Sequence, residues 1–208
     1  MSRTQLLLDR AELERLGRLI GQAWDHYGAQ VMLDGGKCAL ADLFIRTDSA
    51  AISATSSLVS LEFEGFVEEY SRLGITDGAM GETQARTHGN LYFHERGQRI
   101  LDILIVRDTT TQTRAGEPSF ELVSDDGLVF ILDGSVLGIC KSGAFMQDII
   151  ISPAASLDTL KLFDGSDQWE PDLEVHYQHS RQLIPLRDLL DHDASEPVSA
   201  RDPTDPPH

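Results

Sequence analysis

The chain has 208 residues, and 17 lysines and arginines stand against 34 aspartates and glutamates, which gives a formal net charge of −17. An acidic excess of this size repels phosphate groups and excludes general binding of nucleic acids and of anionic membranes. If the protein has a charged partner, we expect that partner to be a basic protein. The alternative is that the acidic charge serves only to keep the protein soluble.

We expect no targeting signal in the first residues. The apolar run in MSRTQLLLDRAEL is three leucines long and is followed at once by charges, unlike the core of a signal peptide. No stretch approaches the roughly 18 apolar residues that cross a bilayer. Cys38 and Cys140 lack CxxC spacing, so we expect free thiols in a reducing compartment. These features predict a cytoplasmic protein.

The first predicted element is a helix that begins after Asp9. Asp9 is a suitable N-cap, and Glu12 three residues later completes a capping box. One apolar stripe follows at helical spacings and consists of Leu13, Leu16, Ile20, Trp24 and Tyr27. Gly28 suits a left-handed cap at the end of the helix. We expect this helix to pack on a sheet.

Patterns are weaker between residues 29 and 90. Residues 31–33 and 38–46 flank Asp34-Gly35-Gly36, which favours a hairpin. A strand with an acidic outer face is predicted to about residue 64, and helical spacing from Phe66 to Gly74 then predicts a short helix. Residues 76–90 are predicted to form a loop, and their glycines match no phosphate-binding motif.

The strongest pattern is FELVSDDGLVFILDGSVLGICK, residues 120–141. Three apolar runs are separated by Asp-Asp-Gly and Asp-Gly, which are typical of tight turns between antiparallel strands. Residues 91–95 and 99–107 favour a further hairpin, and the nearly continuous apolar run 100–106 favours a central strand covered on both faces. More strands are predicted at 145–152, 157–163, 173–178 and 183–186.

These elements predict one α+β domain over residues 1–190. In it the N-terminal helix packs on a strongly curved, mainly antiparallel β-sheet or partly closed barrel. Residues 191–208 are rich in proline and aspartate and poor in apolar side chains, which predicts a disordered acidic tail.

Few residues match the requirements of catalysis. His176 and His179 are three apart in a predicted strand and would point to opposite faces. Ser135 is explained by the turn that contains it, and Cys140 by an apolar core. One alternative site remains, a ligand pocket of a β-barrel, and its candidate residues are His88, His94, Glu95 and Asp102. Asp102 is either a wet strand residue or a buried carboxylate with a partner. We predict no catalytic residue, no bound metal and no cofactor.

Two acidic segments are candidates for contact with a partner. Glu62 and Glu64 lie on the outer face of a predicted strand. The second segment surrounds an aromatic residue that could anchor an interface, and it consists of Asp164, Asp167, Trp169, Glu170 and Asp172. The ligand spacing of a calcium loop is not met there. Trp169 could instead close the mouth of the predicted barrel.

Three functions from different classes follow. The first is a small cytoplasmic module that binds a basic protein and neutralises or escorts it, as an immunity protein or a chaperone does. The second is a β-barrel enzyme or ligand-binding protein that uses the histidine site. The third is a structural or assembly factor of a larger complex. We favour the first because acidity, size and missing catalytic motifs agree with it.

Overall fold

The computed structural model describes residues 2–63, 66–163 and 175–192. Over these residues the chain is mostly antiparallel β-sheet with three short α-helices. The strands are β1 (Ser2–Leu6), β2 (Trp24–Gly28), β3 (Met32–Leu33), β4 (Cys38–Leu40), β5 (Asp42–Thr47), β6 (Ala51–Phe63), β7 (Phe66–Asp77), β8 (Leu91–Tyr92), β9 (Ile100–Arg114), β10 (Glu117–Leu132), β11 (Val136–Lys141), β12 (Asp148–Ala154) and β13 (Val175–Pro185). The helices are α1 (Arg10–Gly17), α2 (Ala79–His88) and α3 (Leu186–His192).

The described strands form two sheets. The larger sheet has the order β13–β9–β10–β11–β12–β4–β3, and β1 lies parallel to β10 beside it. The smaller sheet has the order β7–β6–β5–β2–β8. The mainly antiparallel α+β class predicted from the sequence is thus confirmed. Neither sheet closes on itself within the described residues, so the closure into a barrel is not confirmed.

The main core lies between the two sheets. Trp24 of β2 packs edge-on against Phe130 of β10, with 5.2 Å between the ring centroids. Buried aliphatic side chains from both sheets surround this pair, among them Leu43, Ile45, Ile52, Leu73 and Ile75 of the smaller sheet and Ile103, Ile105, Leu128, Ile139 and Ile151 of the larger. Each contributes on the order of 1.5–3 kcal/mol by leaving water, so this shared core holds the sheets together.

β10 is one continuous strand where the sequence predicted two strands and a turn. β9 pairs along one edge of it. On the other edge β1 pairs with Phe120–Ser124 and β11 pairs with Gly127–Ile131, so the partner changes at Asp125 and Asp126. The register with β9 shifts between Asp125 and Gly127, which is a β-bulge. Asp-Asp-Gly is therefore a bulge inside a strand, and the predicted turn there is wrong.

Two residues explain why the bulge forms at this point. The fully buried Asp125 accepts from Nε and Nη2 of Arg107 at 2.7 and 3.1 Å, and from the backbone N–H of Leu8 at 2.9 Å. A side chain at Gly127 would place its Cβ only 2.4 Å from the carbonyl oxygen of Ile139. Asp125 is thus required for the ion pair with Arg107, and Gly127 for the close approach of β10 to β11. The second motif, Asp133-Gly134, does form the predicted turn between β10 and β11.

The predicted capping box is present at the start of α1. The side chain of Asp9 accepts from the N–H of Glu12 at 2.8 Å, and that of Glu12 accepts from the N–H of Asp9 at 2.8 Å. The helix ends at Gly17 and not at Gly28, because Trp24 and its neighbours pair as β2 with β5. The apolar spacing that suggested a longer helix comes from side chains that enter one core from two different elements.

Several other boundaries were predicted wrongly, and for β7 and β8 the reason is again pairing with a distant strand. Residues 66–74 belong to β7, which pairs with β6 along its whole length, and do not form a helix. Residues 79–88 form α2, which ends at Gly89 with φ of +72°, and do not form a loop. β8 pairs with β2 instead of forming a hairpin with β9.

The end of the chain differs from the expectation in three places. Residues 157–163 contain a 3-10 turn at Leu157–Thr159 and no strand, and residues 175–185 form the single strand β13. α3 continues to His192, so Asp191 belongs to a helix and not to the predicted tail. The rest of the predicted tail, 193–208, lies outside the described residues.

The Asp125–Arg107 pair generates a stability prediction. Asp125→Asn retains an acceptor for Leu8 but leaves the mostly buried guanidinium of Arg107 without a counter-charge, so we expect a loss of about 3–5 kcal/mol in the free energy of unfolding. The measurement is urea unfolding followed by circular dichroism. The control is Glu121→Gln, which removes a more exposed pair with Arg3 and should cost less than about 1 kcal/mol. Equal costs for the two variants would contradict this account of the bulge.

Candidate functional site

Of the predicted acidic contact residues, Glu62 lies in the part of the chain that the structure describes. Glu62 lies on β6 opposite Val67 of β7, and its side chain is exposed. The others lie outside the described residues; they are Glu64, Asp164, Asp167, Trp169, Glu170 and Asp172. Glu62 is therefore the predicted contact residue from which the geometry can be built.

The residues of the alternative ligand site have separate partners. His88 ends α2, and its Nδ1 lies 2.8 Å from the carbonyl oxygen of Gln84. His94 is exposed and stacks beside Tyr92, with 6.4 Å between the ring centroids. No group of three potential metal ligands occurs among the residues that the structure describes.

The two carboxylates of that alternative site hold elements together. Glu95 accepts from the hydroxyl of Ser135 at 2.7 Å, which joins the turn before β9 to the turn between β10 and β11. Asp102 is mostly buried and forms an ion pair with Arg187, which fixes α3 on β9. Asp102 thus lies between the two expected states, because its carboxylate is partly exposed and its partner, Arg187, lies at the surface.

A buried histidine that the sequence did not single out lies between the smaller sheet and α2. His26 of β2 is 4% exposed and lies against the rings of Phe44 and Phe93. Its Nδ1 is 3.1 Å from a carboxylate oxygen of Asp25, and its Nε2 is 4.0 Å from one of Glu82. Neither contact has hydrogen-bond geometry, and within the described chain neither nitrogen has another partner.

Glu82 is the centre of this cluster. It lies on α2 and contacts Arg46 of β5 at 3.3 Å and Arg86, one turn further along α2, at 2.8 Å. The neighbouring Gly81 lets the helix approach so closely that a Cβ there would lie 2.8 Å from the hydroxyl of Ser53. The cluster thus holds α2 on the sheet. Its histidine is too deeply buried to reach a substrate in this conformation.

The exposed end of the β6–β7 hairpin is the most prominent feature outside the core. β5 pairs with β6 only as far as Thr55, whereas β6 and β7 continue to pair with each other to Phe63 and Phe66. Residues 57–63 and 66–69 therefore extend beyond the sheet as a two-stranded ribbon. We call these residues the acidic arm.

One face of the acidic arm packs on the larger sheet. Val59 and Leu61 lie against a second apolar cluster formed by Leu6, Tyr70, Phe120 and Leu122. The hydroxyl of Tyr70 donates to Glu68 at 2.9 Å, and burial together with this acceptor raises the pKa of Tyr70. Leu6 and Phe120 belong to β1 and β10, so the arm is fixed on the part of the larger sheet that precedes the bulge.

The other face of the arm is exposed and carries acids next to apolar side chains. Alternate residues of a strand share a face, so Leu58, Ser60 and Glu62 lie together. Their partners across the ribbon include Val67 and Glu69. Leu58 is 37% and Val67 is 70% exposed. Among the ion pairs of the described residues, none involves Glu62 or Glu69.

The two cysteines are free and separated by one strand. Cys38 of β4 and Cys140 of β11 both lie opposite Ile150 of β12, on either side of it. Two strand spacings separate their backbones by about 10 Å, which is beyond the reach of a disulfide. Burial raises the pKa of the Cys140 thiol to about 12. Neither residue belongs to a reactive pair.

No protein-family model, no curated protein and no solved structure matches the chain significantly. Among the described residues, no helix combines the length and the apolar composition that crossing a membrane requires. The candidate function therefore rests on the geometry of the chain's own residues.

Sequence reasoning found part of the acidic arm and missed the rest. It placed Glu62 on the outer face of a strand, but it assigned Val67 and Glu69 to a helix. Gly65, between two short runs that mix apolar and acidic residues in EFEGFVEE, is the signal in the sequence that favours a hairpin here. His26 and Glu82 were missed because one was taken as part of a helix and the other as part of a loop.

The Glu82 cluster leads to a second stability prediction. Glu82→Gln removes the charge that joins α2 to Arg46, so we expect a loss of about 1–2 kcal/mol in the free energy of unfolding. Thermal or urea unfolding measures it. Glu14→Gln is the control, because Glu14 forms an exposed pair with Arg10 within one helix and should cost at most about 0.5 kcal/mol. A cost for Glu82→Gln no larger than the control would contradict the role given to the cluster.

The cysteines should differ in reactivity. Cys38 is partly exposed and Cys140 is buried, so a thiol reagent at neutral pH should modify Cys38 slowly and Cys140 only after unfolding. The raised pKa of Cys140 keeps it protonated, and therefore unreactive, far above the pH at which an ordinary thiol ionises. Mass spectrometry of the modified native protein gives the measurement. Modification of Cys140 at the rate of Cys38 would show that the larger sheet opens readily.

Proposed function

We propose that this protein is a binding module that captures a basic protein through its acidic arm, and so neutralises or escorts that partner. The observation that carries the proposal is the exposed face of the arm. Glu62 and Glu69 lie there with no basic neighbour paired to them in the described chain, next to the exposed side chain of Val67. A cytoplasmic location and a role like that of an immunity protein or a chaperone are parts of this proposal.

Charge and shape support it together. The net charge of −17 attracts a basic protein from a distance and accelerates association. The arm supplies a local contact, since a ribbon held on one face by Val59 and Leu61 is already ordered before binding.

The alternative functions have less support. The residues of the alternative ligand site are engaged with separate partners, and Glu95 and Asp102 join elements of the fold. The cluster of His26 and Glu82 holds a helix in place, and its histidine is buried, whereas Glu82 is partly exposed and already paired with Arg46 and Arg86. A role as an assembly factor would also use the arm, so the identity of the partner distinguishes it from the proposed one.

The test is capture from a lysate of the native host, with the protein immobilised and the bound proteins identified by mass spectrometry. Wild type should retain a protein of basic isoelectric point, and retention should weaken as salt rises. The double variant Glu62→Lys/Glu69→Lys should lose it. The matched control, Asp77→Lys/Asp158→Lys, changes the net charge equally at exposed positions outside the arm and should retain it.

Two results would contradict the proposal. The first is a retained set that is the same for wild type, variant and control. The second is a principal bound protein that is acidic, or whose retention does not change with salt.

A further inference from the structure

The backbone of the acidic arm has a free edge. The N–H of Ser56 donates to the carbonyl oxygen of Ala41 at 2.7 Å, so the backbone groups of Ser56 point away from β7 and toward the side of β5. Every second residue of a strand points its backbone groups to the same edge. The N–H and C=O groups of Leu58, Ser60 and Glu62 therefore point outward as well.

These outward groups have no partner within the described chain. β5 ends its pairing at Thr55, and the side chain of Gln147 reaches only as far as the carbonyl oxygen of Ser56. Beyond that point no hydrogen bond of the described residues involves the backbone of Leu58, Ser60 or Glu62 on this edge. An open strand edge of this kind is a template for another extended chain.

The side chains beside this edge define what could pair there. Along one face of β6 follow the apolar side chain of Leu58, the small polar one of Ser60 and the acidic one of Glu62. Glu69 of β7 lies across the ribbon from Ser60. An added strand would place its alternate residues next to this row. Lysine or arginine on this face would fit beside Glu62, and a long basic side chain could reach across the small Ser60 toward Glu69, which lies two strand spacings away. The residues between the basic ones would lie on the opposite face, beside Val59 and Leu61, and apolar side chains fit there.

We infer that the partner binds by adding an extended basic segment, with apolar residues between its basic ones, to the outer edge of β6 at residues 58–62. This inference rests on the proposed function and goes beyond it, because it names the mode of recognition. Backbone hydrogen bonds would supply affinity, and Glu62 and Glu69 would select for positive charge. Like charges oppose the pairing of this edge with a second copy of the chain.

One substitution blocks the edge and leaves the hairpin in place. The N–H of Ser60 points outward, so Ser60→Pro removes a donor that the β6–β7 ladder does not use, and its ring obstructs the edge. Ser60→Thr keeps the N–H and is the matched control. The probe is a short synthetic peptide that alternates lysine or arginine with valine. A second peptide carries N-methyl groups at its central residues and cannot form the ladder.

Nuclear magnetic resonance titration measures binding. The basic peptide should shift the amide signals of Leu58, Ser60 and Glu62 and slow their hydrogen exchange. N-methylation of the peptide, or Ser60→Pro in the protein, should each weaken binding by about tenfold or more, because at least one backbone hydrogen bond is lost and the strands are held apart. Ser60→Thr should bind like wild type.

The other outcomes overturn the inference. If the N-methylated peptide binds as well as its parent, or if Ser60→Pro binds as well as Ser60→Thr, strand addition is wrong while capture through charge stands. If the basic peptide leaves the arm signals unchanged, strand addition is wrong, and the lysate experiment alone decides the proposed function. If sedimentation shows a dimer that Ser60→Pro abolishes, the edge serves self-association instead.

Discussion

The arrangement of the chain depends on one buried ion pair, between Asp125 of β10 and Arg107 of β9. Asp125 has no exposed surface, and a carboxylate in that position is tolerated only with a counter-charge and hydrogen-bond donors. Arg107 supplies the charge, and the N–H of Leu8 supplies a further donor. The side chain thus joins three segments that are far apart in the sequence. It does so at the bulge where the neighbour of β10 changes from β1 to β11.

The N-terminal segment connects the two sheets, because it contacts β10 of the larger sheet and β7 of the smaller one. After β1 pairs with β10, Leu8 contacts Asp125, and the capping box of α1 follows. The nearly buried Glu12 of that box accepts from the N–H of Ile75 at 3.1 Å and pairs with Arg72 at 2.6 Å, and both partners lie on β7. The same carboxylate therefore caps a helix and fixes the strand that leads to the acidic arm.

Local chemistry explains which parts of this fold could be predicted from sequence. The capping box of Asp9 and Glu12 and the turn at Asp133-Gly134 use groups only a few residues apart, so both could be predicted. The bulge at Asp125 depends on Arg107 and on Leu8, which are 18 and 117 residues away. No local pattern separates it from a turn. β7 was missed because its pairing with β6, and not its own spacing, determines its conformation.

In the candidate site, too, the features set by local sequence could be predicted and those set by distant contacts could not. Glu62 was identified because acid and apolar residues alternate along its strand. The free edge beside it could not be predicted, because it exists only where β5 ends and β6 continues. The cluster of His26 and Glu82 is also a product of packing, since α2 approaches the sheet only through the small Gly81. A contact residue such as Glu62 can thus be predicted from its neighbours in the sequence. The strand edge beside it depends on where distant strands end, and a local pattern does not predict that.

The central claim is that the acidic arm is an ordered ribbon with one edge open for a partner. Native-state hydrogen exchange of the free protein tests it most directly. The amides of Val59 and Leu61 point toward β7 and should be protected, whereas those of Leu58, Ser60 and Glu62 should exchange rapidly. This alternation is the result the account predicts. Rapid exchange of all five amides would show that the ribbon is not formed, and protection of all five would show that its edge is already occupied.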